Sequence, residues 1–251
     1  MHAGWVLAGA LPALIAMYYV DRLDAARPEP RWSLRKVAIA GGLAIIPCFF
    51  VERLLMDLGP RVAGWDRVLF IAFIVAAAVE ELAKLLCVRW FIWRAPEFDE
   101  RMDGIVYATR ASLGFALVEN MLYLWQQQSS GGLIFMYFLR ALLAVPGHAI
   151  WTGFMGYHAA RRRFDRVGPG IVGGYLIAVF LHGTYDASIF GTQLYAQSQP
   201  AIAVGLFLVG VASIIIGGVA LRRRARLAVE LDNLAFAQAA ASPVVVAAGG
   251  G

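Results

Sequence analysis

Seven stretches of this chain, 4–20, 37–55, 67–93, 104–125, 131–158, 167–190 and 201–221, are apolar over the length that a bilayer core demands, about 20 residues. A soluble fold has no use for seven such stretches. The expected fold class is therefore all-α: a polytopic transmembrane helix bundle of about seven spans, set in the cell membrane with the lipid bilayer as its first partner. The composition agrees, with 16% charged residues against roughly 25% in soluble domains. No Lys or Arg precedes the first stretch, so 4–20 reads as a retained span and not as a cleaved signal. Residues 1–226 form one domain with no internal repeat. The Ala/Val/Gly-rich segment 227–251 reads as a disordered cytoplasmic tail.

A net charge of +5 invites a nucleic-acid reading, which the placement of the charges removes. Fifteen Lys and Arg fall in the segments after spans 1, 3, 5 and 7, including Arg161, Arg162, Arg163, Arg222, Arg223 and Arg224. Only Arg61, with Arg53 and Arg67 at the margins, falls on the other side. Such clusters anchor topology. They place the N-terminus outside and the C-terminus in the cytoplasm, and no nucleic-acid partner is expected. Cys48 and Cys87 lie alone in apolar runs and read as small buried side chains. Nothing in the sequence specifies an oligomeric state.

The informative residues are those that should be costly. Glu80, Glu81 and Lys84 lie in span 3, Arg110, Glu119 and Asn120 in span 4, Arg140 and His148 in span 5, and His182 and Asp186 in span 6. Seven of these carry formal charge. At roughly 2.5–3.5 kcal/mol each, an unpaired set would cost on the order of 20 kcal/mol. They are expected to converge on one site in the bundle interior. Glu80 and Lys84 are spaced i,i+4 in the favourable order. Glu81 is turned by about 100° from Glu80, so Lys84 is expected to engage one acid and leave the other facing a cavity. His182 and Asp186 are also i,i+4, which lets the carboxylate orient the ring. Arg140 reads as structural, Asp103 as the N-cap of span 4, and Pro146 as a kink in span 5 just before His148.

Two chemistries suit this set. A buried carboxylate beside a histidine can activate water as a general base, with a second histidine or Asn120 meeting a developing oxyanion. Alternatively His148, His182 and Glu119 or Glu81 could hold Zn²⁺, although the zinc-specific H-E-x-x-H pattern is absent. No cofactor is the favoured expectation and zinc the alternative. A proton-coupled transporter is a third, weaker reading, because transporters usually show repeated halves.

At these residues the chain resembles the PrsW family of intramembrane proteases, within the wider superfamily of CAAX-prenyl and bacteriocin-processing endopeptidases. The matching segments are VEELAKLL (79–86), FDERMDGIVYATRASLGFALVENMLYLW (98–125), RALLAVPGHAIWTGFMGYHAA (140–160) and LHGTYDAS (181–188), a motif core within 67–190. The resemblance implies a glutamate-dependent endopeptidase that cuts a membrane-anchored protein such as an anti-sigma factor. It implies Glu80, Glu81, His148 and His182 as catalytic residues, with Lys84, Glu119, Asn120 and Asp186 in support. The wider superfamily commonly has His where this chain has Glu119, and Asn where it has Asp186.

Overall fold

The computed structural model describes residues 2–127 and 129–241 and is helical throughout, with no strand among the described residues. The chain opens with α1 (His2–Ala8) and α2 (Leu11–Leu23), then α3 (Arg31–Leu43) and α4 (Ile45–Leu58). Next come α5 (Trp65–Leu69), a π-helical segment (Phe70–Ala78) and α6 (Val79–Phe91), continuous as one rod. It is followed by α7 (Arg101–Trp125). The next rod joins α8 (Ser130–Leu139), a second π-helical segment (Arg140–Ala144) and α9 (Val145–Phe164). Then α10 (Gly170–Tyr195) and α11 (Pro200–Ala241) complete the bundle.

Among the described residues four helical stretches, Gly4–Leu23, Arg31–Leu58, Ser130–Phe164 and Pro200–Ala241, are long and apolar enough to cross a membrane. The stretches that fall short include α6, α7 and α10, which carry buried polar residues. The outside of the bundle is apolar: Phe49, Phe50, Phe180, Ile215 and Ile216 are each at least 60% exposed. Lipid, not water, matches such a surface.

The hub is α7, packed mainly on α9 and α3. The α7–α9 crossing brings backbones together: a Cβ on Gly156 would stand 1.8 Å from the Gly104 carbonyl oxygen. Only glycine permits that approach, and it aligns the two helices that bear Glu119 and His148.

Pro146 lacks the N–H that a regular helix would use. A π-helical turn, Arg140–Ala144, stands just before it, and the helix runs on through Pro146 as α9. The other π-helical segment leads directly into Glu80 and Glu81. Both wide turns thus stand beside the charged residues, a common placement for π-helix.

Two expectations fail here. The disordered tail from 227 is helix as far as Ala241, with residues 242–251 outside those described. Its Ala-rich sequence favours helix, and Asp232, fully buried, docks on the start of α7 by accepting hydrogen bonds from the Arg101 and Met102 amides at 3.0–3.1 Å. The N-cap of α7 is Glu100, not Asp103. Asp103 is the N3 member of a capping box and accepts from the Glu100 amide at 2.8 Å.

Candidate active site

One turn of α6 supplies Glu80, Glu81 and Lys84, all buried. The lysine was expected to engage one acid; its ammonium reaches both, at 3.1 Å to Glu80 Oε2 and 2.8 Å to Glu81 Oε1. The physical reason is its long flexible stem, which lets one ammonium bridge the i−3 and i−4 positions despite their different azimuths. Its third proton points to His148 Nδ1 at 2.9 Å. An ammonium only donates, so Nδ1 accepts, and the ring proton lies on Nε2. From there it is donated to Glu119 Oε2 at 2.8 Å. Partners on two other helices thereby set the tautomer of His148.

Glu119 also accepts from Arg140 Nη2 at 2.6 Å. Arg140 Nε donates to Asn120 Oδ1 at 2.7 Å, and Asn120 Nδ2 donates to the Gly9 carbonyl at 2.7 Å. The guanidinium lies over the Tyr123 ring at 4.0 Å, while Phe115, two turns earlier on α7, carries the Lys84 ammonium at 4.7 Å. The stripe Phe115–Glu119–Tyr123 thus meets two cations.

On α10, His182 Nδ1 lies 3.1 Å from Glu81 Oε1 and its Nε2 3.4 Å from Asp186 Oδ2. Both ring nitrogens face acceptors, so a proton on each satisfies both. The ring stacks on Trp151 at 4.1 Å and 13°, which suits a positively charged imidazole. In that state four carboxylates (Glu80, Glu81, Glu119, Asp186) face three cations (Lys84, Arg140, His182), leaving one negative charge over.

Three groups here were not singled out from the sequence. Thr152 Oγ1 donates to Glu81 Oε2 at 2.7 Å and lies 2.9 Å from Ser112 Oγ, which donates to the His148 carbonyl at 2.7 Å. With Trp151 these fix the inner wall. The P-G-H-x-x-W-T run places Trp151 and Thr152 one turn beyond His148, a spacing that could have flagged them. Convergence has one exception: Arg110 pairs with Asp21 and takes no part in the site.

A cavity of about 810 Å³ reaches this cluster from the side. Glu80 and Glu119 form its polar end, and Phe49, Phe50, Val75 and Leu122 its apolar walls. Glu81 is fully buried behind it. The two acids therefore differ in access: Glu80 faces the cavity, and Glu81 holds Lys84, His182 and Thr152.

Could the residues hold a metal? One donor atom each from Glu80, Glu119 and His148 lie within 4.8 Å of one another, and two carboxylates with one imidazole suit zinc by donor type. This cluster contains Glu80 where Glu81 or His182 was expected, because both nitrogens of His182 are directed at carboxylates. Lys84 Nζ stands 2.9–3.1 Å from two of the three donors and already supplies positive charge there.

Comparison with known proteins gives the family. Residues 29–216 match the family model described as PrsW family intramembrane metalloprotease. "Protease PrsW" of Oceanobacillus iheyensis is 30% identical over 204 residues, covering 80% of this chain and 90% of that protein. "Protease PrsW" of Geobacillus kaustophilus is 31% identical over 205 residues, covering 81% and 85%. That of Bacillus subtilis is 30% identical over 185 residues, covering 72% and 80%. No solved structure matches the chain. With three quarters of its length inside the family model, and with the acids and histidines of α6, α7, α9 and α10 meeting in one place, this membrane protein belongs to the PrsW family of intramembrane proteases.

Proposed function

We propose that the chain is a seven-span endopeptidase, N-terminus outside and C-terminus in the cytoplasm, that hydrolyses a peptide bond of a membrane-anchored protein with Glu80 as the general base. The observation that carries this reading is that Glu80 faces an open cavity within a network that leaves one negative charge uncompensated. Water entering the cavity meets Glu80 and Glu119. Glu80 takes its proton as the oxygen attacks the scissile carbonyl, and later returns it to the leaving amine. His182 donates to the developing oxyanion from Nε2, whose 3.4 Å contact with Asp186 is the looser of its two. Asp186 and Glu81 orient that ring. Lys84 positions Glu80 and His148, and Arg140 with Asn120 holds Glu119. The aromatic walls of the cavity suit an apolar helix arriving from lipid, and an anti-sigma factor is the kind of tethered substrate that the family resemblance suggests.

A second reading is zinc-dependent, favoured by the Glu80–Glu119–His148 cluster and by the family model's description. Those three residues would hold the ion, which would supply a Lewis acid. The Lys84 ammonium among the donors favours the metal-free form. The test is cleavage of a single-span reporter by the purified protein in liposomes. Glu80→Gln should abolish cleavage while the protein still folds. Full activity in both Glu80→Gln and Glu81→Gln would exclude a glutamate mechanism.

A further inference from the structure

A second buried acidic cluster lies at the far end of α7. Asp103 precedes Glu119 by 16 residues, about 24 Å at 1.5 Å per residue, so the cluster is separate from the catalytic network. Donor atoms of Asp24, Glu100 and Asp103 lie within 4.8 Å of one another, and all three residues are buried. Glu29 stands beside them, accepting the Tyr107 hydroxyl.

The three carboxylates are not consumed by the fold. Glu100 uses Oε2 on Arg27 Nε at 2.5 Å and leaves Oε1 without a partner. Asp103 uses Oδ2 on the Asp99 and Glu100 amides, both at 2.8 Å, shares a side-chain hydrogen bond with the Glu29 carboxyl, and has no N–H donor on Oδ1. Asp24 is only 4% exposed, its Oδ2 has no partner, and its side chain makes no hydrogen bond or ion pair with the described residues. One guanidinium contact thus serves four carboxylates. The pocket asks for more positive charge than the chain supplies.

We infer that Asp24, Glu100 and Asp103 form a binding site for one hard divalent cation, Mg²⁺ or Ca²⁺. An all-carboxylate donor set selects these ions over zinc, which prefers nitrogen and sulfur. Asp24 is the C-cap of α2, while Glu100 and Asp103 lie at the start of α7, so the ion ties two distant segments together. Next to it, the α11 extension docks through Asp232, and Arg27 Nη1 donates to Asn233 Oδ1 at 2.9 Å. The ion would therefore stiffen the end of the bundle opposite the catalytic cavity.

The test uses the full chain in detergent micelles, stripped of metal and titrated separately with MgCl₂ and CaCl₂ by calorimetry and thermal unfolding. One of the two salts should bind once per chain and raise the unfolding midpoint. Asp24→Asn should weaken that binding about tenfold or more, the scale of losing support at a metal site. It removes no protein hydrogen bond, so it should fold. Asp24→Asn with Asp103→Asn should abolish the binding, and Glu80→Gln should leave it intact. Absence of stoichiometric binding at about 10 mM of either salt, well above the weakest module range, would overturn the inference. So would unchanged affinity in Asp24→Asn, or binding lost in Glu80→Gln but kept in the double variant.

Discussion

The two acidic clusters on α7 are both largely buried, though only the first meets a cavity, and they are oppositely compensated. Around Glu119, four carboxylates meet three cations, and every proton of Lys84 has an acceptor within 3.1 Å. Around Asp103, four carboxylates meet one guanidinium, and three oxygens have no N–H donor. A buried charge is tolerable only when paired. The first cluster meets that condition from within, and its geometry is held before any substrate arrives. The second needs charge from outside. On the reading proposed above, this difference in balance is what distinguishes the catalytic cluster from the cation site.

The largest expected effect tests the first cluster's chemistry. Glu80→Gln keeps the shape of the side chain and removes the base, so cleavage should drop at least ~100-fold, within the range of general acid–base catalysis. Equal loss in Glu81→Gln, with the melting temperature unchanged, would reverse the roles given to the two acids.

Lys84→Met tests the balance itself. Removing one partner of a buried ion pair costs about 3–5 kcal/mol, and here it strands two acids and orphans His148. Thermal unfolding should fall accordingly and recover in part in Lys84→Met/Glu81→Gln. An unfolding midpoint equal to that of the parent would show that Lys84 holds nothing in place.

Smaller effects belong to the end of the bundle where α11 meets the start of α7. Asp232→Ala removes the acceptor for two α7 amides and should cost about 1–2 kcal/mol, as for the loss of a helix cap. Cleavage by the folded protein should not change. Smallest is the contribution of Asp165. Desolvation raises its carboxyl, but hydrogen bonds from Arg101 and Arg161 outweigh this and hold it below the usual carboxylate range. A carboxylate lowered in the folded state stabilises above its unfolded value and loses that contribution as pH falls through the folded one. Parent and Asp165→Asn should therefore differ near neutral pH and converge in strong acid.

The sequence showed the first cluster well because charge inside an apolar run is conspicuous. Glu80, Glu81, Lys84, Glu119, His148 and His182 stood out by that rule and meet in space. Arg110 obeyed the same rule and does not join them, since Asp21 at the end of α2 is near enough to neutralise it. Thr152 and Ser112 were invisible because a hydroxyl in a helix can bond its own backbone and costs little anywhere. The second cluster escaped notice because its acids lie near helix ends, where charge is ordinary. Its unpaired state depends on Asp24, 79 positions before Asp103, being folded against α7. The helix through 227–241 is not legible from composition alone, because an Ala-rich segment becomes stable helix here only where Asp232 docks on α7.

The most direct measurement is cleavage of a membrane-tethered reporter by the purified protein in liposomes. It should be made with a zinc-selective chelator and excess MgCl₂ and CaCl₂ present, comparing parent with Glu80→Gln. A glutamate base predicts cleavage by the parent that survives the chelator and vanishes in Glu80→Gln. Loss of parental cleavage in the chelator, restored by added zinc, or undiminished cleavage by Glu80→Gln, would contradict it.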